Sequence, residues 1–303
     1  MKILHLNHTF IRGNGIDEVI RNLLKYAYSC GHVAELVCNV ADSSMIESAR
    51  PAKVFTDPNR KGMPILYSYG FLPFALGRLA VRALTSLSRS WRFVRKRINA
   101  ADVIHAHFYP FNAHALLSKP KDKRLVLHNY GVPNDLSGYG FKYRLYLRAA
   151  KRYGHLFSKA DVVISISDFL RNDLLKRTGV DSIVIPPGVD PNEYHFSSLG
   201  RESIRERYKI SDDAYVILYV GRLDWYKRVD LLIQAFSLIR AQQDSVLLIT
   251  ADQSKNEINL RKLVINLGLG DSVLFIRPEG ETMPWLPPYY SACDVCTSCS
   301  EWE

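Results

Sequence analysis

The stretch YVILYVGRLDWYKRVDLLIQAF, residues 215–236, decides how the chain is read. Its first six residues lean apolar and predict a buried strand, Gly221 ends it, and an amphipathic helix pattern begins near 228. Between strand and helix stand two cations five apart, Arg222 and Lys227. A strand–turn–helix offers backbone amides and a helix N-terminus to an anion. Arg222 adds a planar fork for phosphate oxygens and Lys227 a compact point charge. Two cations at one helix start suit a diphosphate better than a lone carboxylate. A solvated basic helix start, with Arg228 following, fits the same letters.

The alternation extends in both directions. Upstream, strands are expected at 2–6, 33–38, 102–107, 124–128, 161–166 and 182–186, with helical stretches near 16–30, 75–98, 140–158 and 168–177. Ser167 suits the N-cap of the last helix. Downstream, strands at 215–220, 245–250, 272–276 and 294–298 alternate with helices at 228–242 and 255–267. Continuous apolar strands separated by helices imply parallel sheets covered on both faces. The reading is an α/β chain of two facing, doubly wound, Rossmann-like domains, 1–187 and 214–303. The Pro- and Gly-broken stretch 188–213, with a short helix near 201–208, is the linker. Only four strands follow it, so the second domain is read as partial and the chain as a piece of a longer polypeptide.

With 303 residues, 47% of them hydrophobic, the chain can bury two ordinary cores. The formal charge of +10 suits anionic partners without choosing among them. The opening MKILHL reads as a core strand rather than a leader. No apolar run approaches the roughly 18 residues of a spanning helix. A cytoplasmic protein is expected.

A second loop, RGNGIDEVIRNLL (12–24), follows the first strand. Gly13 and Gly15 allow the main chain to approach a ligand closely, although a flexible loop reads the same way. Glu18 stands where the dinucleotide fingerprint needs a small residue, so no nicotinamide site follows. His105 and His107 alternate across Ala106 as metal ligands on one sheet face would. Polar strand ends are the plainer account, and no metal is expected. His128 closes a strand ahead of the loop HNYGVPNDLSGYG, the kind of place that holds active-site groups. In CDVCTSC, residues three apart on a strand point to opposite faces, which favours buried free cysteines at 293, 296 and 299 over a metal cluster.

The segment 74–100 mixes Trp91 and other apolar residues with Arg78, Arg82, Arg89, Arg92, Arg95 and Lys96, without one acidic residue. Such a composition suits a helix on anionic lipid, and a domain helix with a solvated face is the plainer account. No recognition motif for nucleic acid accompanies the charge. Asp-x-Asp is absent from the sequence, which favours Arg and Lys over a carboxylate-held metal as neutralising groups.

Five stretches in order carry a family resemblance: GNGIDEVIRNLLKYAYSCGHVAEL (13–36), ADVVISISDFLRNDLLKRTGVDSIVIPPGVDPNEY (160–194), VGRLDWYKRVDLLIQAF (220–236), LGLGDSVLFIRPEG (267–280) and YYSACDVCTSCSEWE (289–303). The chain resembles family 4 of the retaining glycosyltransferases, whose two facing Rossmann-like domains form the GT-B fold. The resemblance implies sugar transfer from a nucleotide-diphosphate donor to a saccharide or lipid-linked acceptor, in polysaccharide or glycolipid assembly, with no cofactor. It makes 1–187 the acceptor side and 214–303 the donor side. Arg222 and Lys227 match the pair on the donor diphosphate. Gly15 matches the glycine approaching that diphosphate, and His128 the histidine near the transferred sugar, with local positive charge as an option. Glu303 matches the first glutamate of Glu-x7-Glu. Departures are Asn14, Pro187, Arg228 and ADQS (251–254), where the family favours glycine, asparagine, glycine and a glycine-rich turn. A nucleotide-sugar epimerase of the same fold, or an inactive truncated relative, are the rival expectations.

Overall fold

The computed structural model describes residues 1–56, 89–108, 120–131, 154–250, 255–277 and 286–301, with positions 111, 115, 141, 144, 147, 148 and 151 besides. The chain divides into two compact units, Met1–Gly188 and Val189–Glu303.

The first unit is built on β1 (Lys2–Leu6), β2 (Thr9–Phe10), β3 (Val33–Cys38), β4 (Val40–Ala41), β5 (Lys53–Thr56), β6 (Val103–Ala106), β7 (Arg124–Asn129), β8 (Val162–Ser165) and β9 (Ile183–Val184). Seven of these form one sheet in the order β5-β3-β1-β6-β7-β8-β9, with every pairing parallel. β2 and β4 pair separately above the sheet's carboxyl edge. Its α-helices described along their full span are α1 (Gly15–Ser29), α2 (Ser43–Ser48), α3 (Arg89–Ala100) and α4 (Asp168–Thr178). In α1, Ile20, Leu24 and Ala27 recur at helical spacing and are buried with Leu36 and Cys38 of β3. Val94 and Ile98 of α3 enter the other core with Leu4, Leu6, Ile104 and Leu125. Each such side chain contributes about 1.5–3 kcal/mol on burial. α4 starts at Ser167, whose Oγ accepts from Leu170 N, and ends at Gly179 with φ 73°, a left-handed cap that suits glycine.

The second unit carries β10 (Tyr215–Tyr219), β11 (Ser245–Thr250), β12 (Val273–Ile276) and β13 (Val295–Cys296), parallel in the order β12-β11-β10-β13. Its helices are α5 (Ser198–Arg207), α6 (Val229–Arg240), α7 (Lys255–Asn266) and α8 (Pro287–Ala292). Val229, Leu232, Ile233 and Phe236 give α6 one buried stripe. α5 lies within the stretch read as linker and rests on α8: a Cβ at Gly200 would stand 3.2 Å from Pro288 Cα. Arg205 is buried and joins Asp294 at 3.1 Å, while Arg201 holds the other carboxylate oxygen at 3.0 Å.

The cysteines depart from the expected burial. Cys296 is exposed, and Cys293 and Cys299 are partly so, as free thiols. The reason is position: β13 is a two-residue edge strand, and its Val295 is itself 40% exposed. Of the basic segment, Arg78 and Arg82 lie outside the described residues, as do the side chains of Arg89, Trp91 and Arg92. Arg95 and Lys96 are exposed on α3, whereas Arg97 turns inward and lies 3.7 Å from the ring centres of both Phe55 and Phe93. Among the described residues no helix is long and apolar enough to cross a membrane.

Candidate functional site

In the first unit, candidate residues gather at the carboxyl ends of β1, β6 and β7. The chain leaves β1 and turns into α1 through residues 7–14. Gly13 takes φ 74°, a left-handed conformation that favours glycine. A Cβ at Gly15 would meet open space, so the protein's own packing does not demand glycine there. Asn14 caps α1, its side chain accepting from Ile16 N.

Asp17, which the sequence reading passed over, organises this loop. Fully buried in the first turn of α1, its carboxylate accepts from Asn7 Nδ2 at 2.7 Å, Thr9 Oγ1 at 2.9 Å and Ile11 N at 3.0 Å. Burial pushes its pKa up against the pull of those hydrogen bonds. The sequence signal was an acid directly after the glycines, which also reads as ordinary helix-dipole complement.

Four histidines share one sheet face. Register pairs His5 with His105, and one residue further Leu6 with Ala106 and Ala106 with Leu127. Strand alternation therefore puts His5, His105, His107 and His128 on the same side. All four are buried. His5 Nδ1 is 3.0 Å from His107 Nε2, His107 Nδ1 is 3.0 Å from the Tyr130 hydroxyl, and His128 Nδ1 is 3.3 Å from His105 Nε2. The His105 and His128 rings are parallel to within 4°, and Tyr130 stacks on His128 at 4.4 Å. Among the described residues the buried Nε2 of His128 has no partner. Burial lowers the pKa of His128 to about 4, so it is neutral near pH 7 and the optional positive charge does not arise there. Asn129 fixes the exit from β7, donating to Ser165 Oγ at 3.0 Å and to Leu170 O at 3.2 Å, while its Oδ1 accepts from Gly131 N. At Gly131 a Cβ would stand 2.6 Å from Leu170 Cδ2.

In the second unit, β10 runs into the turn 220–228. A Cβ at Gly221 would strike the Tyr219 hydroxyl at 2.8 Å, so the turn needs glycine. That hydroxyl donates to Arg222 O at 2.7 Å, and Gly221 N donates to Thr250 Oγ1 at 3.0 Å. Both expected cations meet at Tyr226. Arg222 Nη2 is 2.5 Å from its hydroxyl, and Lys227 Nζ lies 5.5 Å from its ring centre. Arg222 also pairs with Asp224 at 3.1 Å, while its side chain stays 62% exposed. An incoming anion therefore competes with one carboxylate rather than finding bare cations. Trp225 Nε1 is buried without a partner among the described residues.

Arg228, where the resembled family favours glycine, takes φ 49° at the N-terminus of α6. Its guanidinium holds Asp230 at 3.2 Å and Glu301 at 2.5 Å, and Glu301 N donates to Tyr226 O at 2.9 Å. These contacts tie the segment after β13 to the cationic turn. Glu303 and the stretch 251–254 lie outside the described residues.

Parallel α/β units with glycine-bearing turns at their strand ends define a class of nucleotide-handling folds. Residues 13–193 match the family model described as Glycosyltransferase Family 4, and residues 200–303 match Glycosyl transferases group 1. The chain belongs to Glycosyltransferase Family 4. It is 27% identical over 217 residues to the D-inositol 3-phosphate glycosyltransferase of Stackebrandtia nassauensis, covering 64% of this chain and 46% of that one. It is 28% identical over 137 residues to the GDP-mannose-dependent alpha-(1-6)-phosphatidylinositol monomannoside mannosyltransferase of Mycobacterium tuberculosis, covering 45% and 35%. The chain thus spans less than half the length of these relatives. Among solved structures, Anabaena HepE in complex with UDP and glucose matches with TM-score 0.68 at 20% identity, over 99% of this chain and 74% of that one. That likeness is one of fold, the GT-B class.

Proposed function

We propose that this protein transfers a sugar from a nucleotide-diphosphate donor to an acceptor hydroxyl with retention of anomeric configuration. The observation that carries the reading is the turn after β10, where Arg222 and Lys227 meet at Tyr226 beside the start of α6. Breaking the glycosidic bond leaves oxocarbenium character on the sugar and negative charge on the departing diphosphate. Two preplaced cations and helix-start amides stabilise that charge. One such contact is worth roughly 3 kcal/mol in the transition state, or about a hundredfold in rate. No metal is needed at the diphosphate when side-chain cations neutralise it.

On the first unit, the loop held by Asp17 offers Gly13 and Gly15 for close approach by the donor, and His128 Nε2 offers a neutral ring nitrogen to a sugar hydroxyl. Glu303 would contact the donor sugar. The acceptor is read as a saccharide or lipid-linked polyol, in keeping with relatives named for D-inositol 3-phosphate and a phosphatidylinositol mannoside. A cytoplasmic position at the inner membrane face, through the basic segment around α3, completes the reading.

A thermal-shift series with UDP- and GDP-sugars tests it, because a ligand that binds only the native state raises its apparent stability. At least one donor should raise the melting temperature of the protein and fail to do so in the Arg222→Ala, Lys227→Ala double variant. An equal shift in both sinks the donor-site assignment.

A further inference from the structure

The histidine cluster beneath the first unit's loop offers more than strand-end polarity. His5, His105 and His107 each present a ring nitrogen within 4.8 Å of the others, and all three rings are buried. We propose that these three imidazoles form a binding site for a divalent transition ion of borderline softness, with Zn(II) as its probe. The site is independent of the donor turn and of the transferase reading.

Three features support it. The donor set is chemically apt, since neutral imidazole suits zinc, cobalt and nickel, whereas magnesium and calcium want oxygen. The three rings share one buried sheet face, which keeps bulk water from competing for an ion held among them. The spacing is also near. Two nitrogens bound at about 2.0–2.1 Å to a tetrahedral ion stand roughly 3.3 Å apart. His5 Nδ1 and His107 Nε2 are 3.0 Å apart already. The widest pair has to close by roughly 1.5 Å at most, by rotation of side chains.

The surroundings fit a metal ligand set. The other nitrogen of His107 meets the Tyr130 hydroxyl at 3.0 Å, the outer contact that fixes a ligating imidazole's tautomer and orientation. The competing state is a set of N–H···N hydrogen bonds among the same rings with no ion.

The test uses untagged protein with Cys30, Cys293, Cys296 and Cys299 changed to Ser, so that uptake by accessible thiols is not counted. After chelator treatment and dialysis, Zn(II) and Co(II) are titrated and bound metal is counted. One equivalent should bind, Co(II) should take on the intense visible spectrum of a four-coordinate site of three imidazoles and a water, and His107→Gln should abolish both. Tyr130→Phe, which keeps all three ligands and the ring, should weaken binding about 10–100-fold, a loss that a metal-free hydrogen-bonded cluster does not predict. A protein that takes up no ion overturns the proposal without reference to any variant. So does uptake that is unchanged in His5→Gln, His105→Gln and His107→Gln.

Discussion

The Tyr226 hydroxyl lies 2.5 Å from Arg222 Nη2 and 3.2 Å from Asp224 Oδ2, so one buried phenol holds the guanidinium and its carboxylate partner in a single array. The guanidinium is oriented before any ligand arrives, and only part of its charge is spent on Asp224. Because the Arg222 side chain is 62% exposed, Arg222→Ala should change folding stability by less than about 0.5 kcal/mol. Sugar transfer should fall about a hundredfold. Tyr226→Phe keeps the cation but frees its geometry, and should cost about tenfold, near the worth of one hydrogen bond. Steady-state kinetics beside urea melts separate the two effects. A stability loss that matches the activity loss in Arg222→Ala would mean the residue serves the fold.

Asp17 makes the opposite prediction. Its carboxylate satisfies Asn7, Thr9 and the Ile11 amide at once; Asp17→Ala takes the acceptor from the Thr9 hydroxyl and the Ile11 amide and leaves Asn7 Nδ2 only Thr9 O. A buried donor without a partner costs about 1–3 kcal/mol, so the variant should lose about 3 kcal/mol or more in urea unfolding. Asp17→Asn keeps one acceptor oxygen and should recover part of the loss. Donor affinity should fall in both, because the loop carrying Gly13 and Gly15 loses its anchor. An Asp17→Ala protein as stable as the parent would show that water replaces the carboxylate without penalty.

Much of this arrangement was legible in the sequence, and the misses have physical causes. Long apolar runs such as VAELVC and SVLLIT announced their strands, and Ser167 announced the start of α4. KVFT (53–56) did not announce β5, because an edge strand with exposed or half-buried side chains lacks the continuous apolar run of a central one. Strand alternation put His105 and His107 on one face, but only the strand order β1-β6-β7 adds His5 and His128 to them. That order is a long-range fact, invisible to local periodicity. The cysteines at 293, 296 and 299 were expected to be buried, and the short edge position of β13 leaves them exposed or partly so.

Arg228 sets backbone strain against ion pairing. A non-glycine residue at φ 49° costs on the order of 1 kcal/mol, and its two partners, Asp230 and Glu301, are both substantially exposed. Exposed pairs return about 0.2–1 kcal/mol each. Arg228→Gly should therefore leave stability within about 1 kcal/mol of the parent, since relief of strain offsets the lost pairs. Arg228→Ala keeps the strain, loses the pairs, and should be the less stable of the two. Differential scanning calorimetry of both variants decides the matter. Equal losses in Gly and Ala would place the effect in the ion pairs alone.

Asp294 supplies the pH dependence. One of its oxygens accepts from Val216 N at 2.7 Å and from Arg205 at 3.1 Å, and the other pairs with Arg201, which joins α5, β10 and the start of β13. Burial works to raise its pKa, but the Val216 amide and the two guanidinium groups outweigh burial and leave it below the ordinary carboxylate value. A carboxylate with a depressed folded-state pKa adds stability above its unfolded value of about 3.9, and that stability disappears as pH falls through the folded value. Asp294→Ala takes the carboxylate from Arg205, whose side chain is only 4% exposed and keeps the carbonyls of Ser211, Asp212 and Ala214, and should cost about 3 kcal/mol at pH 7. The gap between parent and variant should hold from pH 7 to about 5 and narrow in more acidic buffer, where the parent carboxylate takes up a proton. Urea melts at several pH values measure that gap. A difference that stays constant into acid would show that Asp294 contributes packing rather than charge.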